Sequence, residues 1–117
     1  MLVESQHPLR LTVLIDARNV LRSRWPNIPE EELVRLIGEW ARDEDVDTEI
    51  VFDGRAPAGG IGTGGESADN WLARRSGELE GPYWLVTSDR ELRECAGGRA
   101  ERVIGGGTFA SLVRGDR

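Results

Sequence analysis

The 117-residue chain contains no lysine; all 15 basic residues are arginine. A phosphate-cradling loop of the P-loop type, which needs a lysine on the β/γ-phosphates, is therefore excluded, as is Schiff-base chemistry. Histidine is almost absent too. His7, the single one, lies in a polar N-terminal stretch, which leaves Ser–His–Asp and Cys–His nucleophile systems without a base. Cys95 is the lone cysteine, so neither a disulfide framework nor a cysteine-rich zinc site can form within the chain. No apolar run is long enough to span a bilayer, and residues 1–10 do not resemble a secretory leader, so a cytoplasmic location is expected. What remains for catalysis is carboxylate chemistry.

Acid is plentiful: 21 Asp and Glu residues give a formal net charge of −6. That balance argues against tight non-specific binding to a nucleic-acid backbone, because such binding scales with the phosphates neutralised. It leaves open a nucleic-acid substrate held by a metal and a few local arginines. With 38% hydrophobic and 31% charged residues the composition is that of a folded globular chain rather than a disordered one. One domain is expected over residues 1–117, with its core over about residues 11–113.

Residues 11–15, LTVLI, form a continuous, partly β-branched apolar run that ends in Asp16 and reads as a strand buried on both faces. Pro29 and three glutamates then open a helix whose apolar positions are Leu33, Leu36, Ile37, Trp40 and Ala41. The charged run of residues 42–47 reads as a helix end and turn. Residues 49–52 give a second strand, ending in Asp53 and Gly54. Residues 56–65 are mostly Gly, Ala, Pro and Thr and read as a flexible loop; the GGIGTGG run lacks the context of a dinucleotide fingerprint. A helix is expected over residues 66–79, with Ala68, Trp71, Leu72 and the stem of Arg75 inward. Residues 83–87 read as a third strand, leading through Ser88 and Asp89 into a short helix that ends near Ala96. A short fourth strand over residues 102–104 and a last helix capped by Thr108 complete the pattern. Strands alternating with helices imply right-handed βαβ units and a mostly parallel sheet of about four to five strands, covered on both faces. The fold class is α/β, and function is expected beyond the carboxyl ends of the strands.

Three strands end alike, in LTVLID, EIVFDG and YWLVTSD. If they run parallel, Asp16, Asp53 and Asp89 emerge on one edge, where neighbouring strands about 4.8 Å apart let carboxylates share a cation. Glu66 and Asp69, three apart, project on one helix face and can join them. Oxygen-only donors favour Mg²⁺ or Mn²⁺ over Zn²⁺, and such an ion suits metal-assisted hydrolysis of a phosphodiester. Each acid also has an ordinary structural role. Asp16 can cap a turn, Asp53-Gly54 is a turn dipeptide, and Ser88-Asp89-Arg90-Glu91 matches a capping box; Glu66 and Asp69 suit a helix N-terminus. The joint arrival of three strand-end acids at one edge favours the site.

Asn19, one helical turn after Asp16, can orient that carboxylate or bond the local backbone. Arg18, Arg22 and Arg24 cluster near the same edge, and Arg55 and Arg90 follow the second and third strand-end acids. Any of them can fork onto a phosphate, with Arg90 and Arg18 ranked first. Trp25 beside Pro26 reads as a cover over the first helix, with base stacking as the alternative. Cys95 reads as a packing residue.

Taken together, LIDARN, IVFDG, GESADNWL, WLVTSDRE and the terminal TFASLV resemble the YacP-like NYN domains of the PIN-like nuclease superfamily, over about residues 11–113. The resemblance implies a three-layer α/β/α Rossmann-like fold and a metal-dependent endoribonuclease. It also implies Asp16, Asp69 and Asp89 as metal ligands, Asn19 and Ser88 as supporting residues, and Asp53 as a further acid. The implied partners are an RNA substrate and a ribosome or protein partner, with no membrane. A non-catalytic RNA-binding or ribosome-associated module is the alternative. Such domains usually place a strand before the acidic helix, where this chain has its Gly-rich stretch. A phospho-acceptor receiver domain also gathers acids at parallel strand ends, but needs a lysine this chain lacks.

Overall fold

A computed structural model describes residues 10–24 and 28–115, the side chain of Arg24 excepted. Trp25 and His7 lie outside the described residues. In chain order the elements are β1 (Thr12–Asp16), α1 (Ala17–Arg24), α2 (Glu30–Glu44), β2 (Asp47–Phe52), β3 (Ile61–Gly62), α3 (Ala68–Glu78), β4 (Tyr83–Val86), α4 (Arg90–Ala96), β5 (Arg102–Ile104) and α5 (Gly106–Arg114). The five strands form one all-parallel sheet in the order β3-β2-β1-β4-β5. No helix among the described residues is long and apolar enough to cross a membrane.

The apolar run of β1 takes the centre of the sheet because both its faces need cover. Val13 and Ile15 face one layer, with Val20 of α1, Leu33, Ile37 and Trp40 of α2, and Phe109 and Ala110 of α5. Leu14 faces the other, with Val51, Leu85, Ala68 and Leu72 of α3, and Leu92 and Ala96 of α4. Three layers result, helices on both faces of a parallel sheet. Trp40 is core, its ring meeting Phe109 edge-on at 5.1 Å between centroids.

Several expected boundaries are corrected. Residues 56–65 are not a loop throughout: Ile61–Gly62 pairs in parallel with Val51 and Phe52 of β2 as an edge strand. A short strand does precede the acidic helix, hidden because two residues carry no readable alternation. Gly62 is required there, since a Cβ would stand 2.6 Å from the Gly54 carbonyl oxygen. Helix α3 starts at Ala68, not Glu66, because Ser67 accepts from the Asn70 N–H (3.1 Å) and sets the N-cap. Thr108 lies within α5, whose N-cap is Gly105. At α4 the cap is Asp89 rather than Ser88, through acceptance from the Leu92 N–H at 2.9 Å. Asp45, in the left-handed conformation, closes α2, and β2 begins at Asp47, two residues earlier than expected.

Candidate functional site

Because all five strands are parallel, their carboxyl ends share one edge, and Asp16 is the last residue of the central strand. Its register places it one step beyond the Ile15–Val86 pair, so the residue facing it, just past the end of β4, is Thr87. Asp16 is only 6% exposed and Thr87 is fully buried. The Thr87 hydroxyl donates to Asp16 Oδ2 at 3.1 Å and accepts from the Asp89 N–H at 3.1 Å. One hydroxyl thus ties the end of the central strand to the start of α4.

A second tie runs through Asn19, on the first turn of α1. Its Oδ1 accepts from the Ser88 N–H at 3.0 Å, and Ser88 Oγ accepts from the Gly106 N–H at 3.0 Å. Helix α5 approaches so closely that a Cβ on Gly106 would stand 2.4 Å from Asn19 Oδ1. Arg93, one turn into α4, donates from Nε to the Thr87 carbonyl at 2.9 Å. The loop after β4 is held from α1, α4 and α5 at once.

Burial is the largest influence on Asp16 and raises its pKa; the negative charges of Asp69 and Asp53 add to the rise, while Thr87 and the Asn19 backbone oppose it. Asp69, exposed on the first turn of α3, is also raised, by partial burial and by the charges of Asp89, Asp53 and Glu91, against the offsetting Arg22. Asp16, Asp53, Asp69, Asp89 and Glu91 therefore form one electrostatically coupled edge. They do not form a closed coordination set: among the described residues, no three Asp, Glu, His or Cys side chains stand together closely enough to hold a metal ion.

The ordinary structural roles account for part of this. Asp53 Oδ1 accepts from the Ala68 N–H at 2.7 Å, an acid placed on the positive end of α3. Asp89 caps α4. Glu66 is turned aside, paired with Arg74, and is not brought to the others. Arg18 stands 3.9 Å from Asp53, whereas Arg55 and Arg90 are simply exposed, after β2 and at the first position of α4. Cys95 is exposed on α4 rather than packed.

Asp16 also engages a helix end, its carboxylate accepting from the Asn19 backbone N–H in the first turn of α1, whereas Asp69 does not; what sets the two apart is that both are disfavoured as anions. Their all-oxygen donor chemistry fits Mg²⁺ or Mn²⁺, which would offset the burial and the like charge that raise their pKa values. Asp69 is exposed and can swing; Asp89 and Asp53 each have a second oxygen beyond the one that caps. Three contributors were missed by sequence reasoning. Thr87 was signalled by its place in the Thr-Ser-Asp run, Glu91 by following Asp89 at two residues, and Gly106 only by the glycine triplet before α5. In comparisons with known proteins, no family model, no curated protein and no solved structure matches the chain.

Proposed function

We propose that the chain is a Mg²⁺- or Mn²⁺-dependent endoribonuclease that hydrolyses RNA phosphodiester bonds at the carboxyl edge of its sheet. The observation that carries this reading is Asp16: a nearly buried carboxylate at the end of the central strand, to whose burial the charges of Asp69 and Asp53 add. The Thr87 hydroxyl and the Asn19 N–H hold the carboxylate in place, and a bound cation would offset its burial and the charge of Asp69 and Asp53. Asp16, Asp69 and Asp89 would hold that ion, with Asp53 as a further acid. When bound, the ion supplies positive charge to the phosphodiester and acidifies water. Thr87 and Asn19 keep Asp16 in place, and the Asn19–Ser88 tie fixes the loop that carries Asp89. Hydrolysis adds the oxygen of water to phosphorus and breaks one P–O ester bond.

Incubation of RNA with Mn²⁺ and then with EDTA tests the proposal. Asp16→Asn, Asp69→Asn and Asp89→Asn should each lower cleavage by about two orders of magnitude, a typical cost of losing organised charge stabilisation. Near-normal rates for all three in excess Mg²⁺ would overturn the assignment. The engagement of Asp53 and Asp89 as helix caps supports a second reading, an RNA-binding module without turnover. Under that reading RNA binds but stays intact in Mn²⁺.

A further inference from the structure

Any polyanion that reaches this edge meets five coupled acids on a chain of net charge −6, so it needs local cations. Several of the described arginines are already committed. Arg35, Arg74 and Arg75 hydrogen-bond carboxylates, Arg99 the carbonyls of Ser76 and Leu79, and Arg93 that of Thr87. Arg55 and Arg90 are exposed singly, after β2 and at the start of α4, whereas Arg18 and Arg22 are both exposed on one helix, α1, four residues apart. Arg18 stands 3.9 Å from Asp53, a separation that is an electrostatic contact and not a hydrogen bond. Arg22 is the cation whose charge acts on Asp69.

We propose that Arg18 and Arg22 hold two consecutive phosphates of a single RNA strand laid along the acidic edge. Residues four apart on a helix are separated by about 6 Å along its axis, the order of the step between neighbouring phosphates on one strand. Each guanidinium carries five N–H donors in a planar fork suited to phosphate, and the loose contact of Arg18 with Asp53 leaves its fork available. A single strand is favoured over a duplex by the shape of the cationic surface. Duplex RNA is recognised through phosphates spread over successive grooves, whereas here the cations form one short row on an eight-residue helix. The inference rests on the nucleic-acid reading of the site, but not on turnover.

The test is fluorescence anisotropy of a short labelled oligouridine, and of a duplex RNA of equal length, titrated with the protein in Ca²⁺ at several salt concentrations. For a single strand each phosphate contact contributes about 0.7 to the slope of log K against log salt. Arg18→Gln and Arg22→Gln should each flatten the slope by about 0.7 and weaken binding up to about five-fold. Arg42→Gln, on α2, should leave both unchanged. Arg18→Lys and Arg22→Lys keep the charge and should keep the slope, which covers the case of a glutamine variant that folds poorly. Wild-type binding with slopes unaltered in both glutamine variants, or a preference for the duplex, overturns the proposal while the nucleic-acid reading stands. Failure of the wild type to bind either RNA overturns that reading, and the proposal with it.

Discussion

Replacing Gly106 by alanine sets two opposing effects against each other. Alanine is the better helix former, by about 1 kcal/mol in a helix interior, but Gly106 is the first residue of α5, where that advantage is smaller. Against it stands the close approach of α1. The new Cβ would lie 2.4 Å from Asn19 Oδ1, 2.8 Å from Ser23 Oγ and 2.9 Å from the Asn19 backbone oxygen. The first two atoms end side chains and can move; the third belongs to helical backbone and cannot, so α5 must back away. Overpacking of this kind costs about 1–3 kcal/mol. If the Asn19 carboxamide turns aside it abandons the Ser88 N–H, at about 1 kcal/mol more. A net loss of about 2 kcal/mol is expected, which for a chain of this size lowers Tm by roughly 6–12 °C. Gly77→Ala is the matched control, because no atom lies within 4 Å of its Cβ position in α3, and it should raise Tm. Thermal melts of the two variants by circular dichroism decide the matter. A Gly106→Ala protein that melts at or above the wild-type temperature would refute the locked contact between α1 and α5.

The raised pKa of Asp16 makes the metal-free protein sensitive to pH. A group raised above its unfolded value favours the fold below that value, about 3.9 for Asp, and the benefit is lost as pH climbs through the folded pKa. In EDTA this contribution therefore falls on going from mildly acid to neutral pH. Asp16→Asn should flatten that dependence and melt higher than wild type at neutral pH, and an unchanged slope in urea titrations would contradict it. Mn²⁺, binding the folded site, should raise the Tm of wild type more than that of Asp16→Asn, which paired melts will show. Thr87→Val removes a donor to Asp16 and an acceptor for the Asp89 N–H in a fully buried position, so a loss of about 2 kcal/mol is expected by denaturant unfolding, with Thr87→Ser much milder. Arg75 grips Glu49 through two hydrogen bonds of 2.8 Å, half-shielded from solvent; a double-mutant cycle should give a coupling of about 1 kcal/mol that weakens in salt.

The parallel sheet was legible because its central strands are written in apolar, β-branched residues that need cover on both faces. β1 and β4 stand out for that reason, and the amphipathic face of α2 does as well. β3 was not legible. Two residues carry no periodicity, and pairing with Val51 and Phe52 comes from the path of the crossover rather than from local preference. Helix α1 is short, with Arg18, Arg22 and Ser23 exposed and only Ala17 and Val20 buried, so periodicity marked it weakly. At the site, the strand-end pattern placed Asp16, Asp53 and Asp89 on one edge, with Glu66 and Asp69 on the helix beside them, but it did not give their rotamers. That Asp53 would turn onto the Ala68 N–H, and Glu66 onto Arg74, depends on where α3 begins, and Ser67 decides that. Thr87 shows the same limit: its residue type was in view, whereas its double engagement needed the β1–β4 register.

The sheet ends on both sides in strands too short to recruit a neighbour. β3 contributes two residues and β5 three. An edge that exposes long rows of unpaired N–H and C=O groups invites a second chain to extend the sheet. Here there is almost nothing to extend, and beside β5 the Arg102 guanidinium lies 4.9 Å from the centre of the Trp84 ring, a charge posted at the margin. At high concentration the folded chain should resist ribbon-like polymerisation, and any self-association should come from helix against helix.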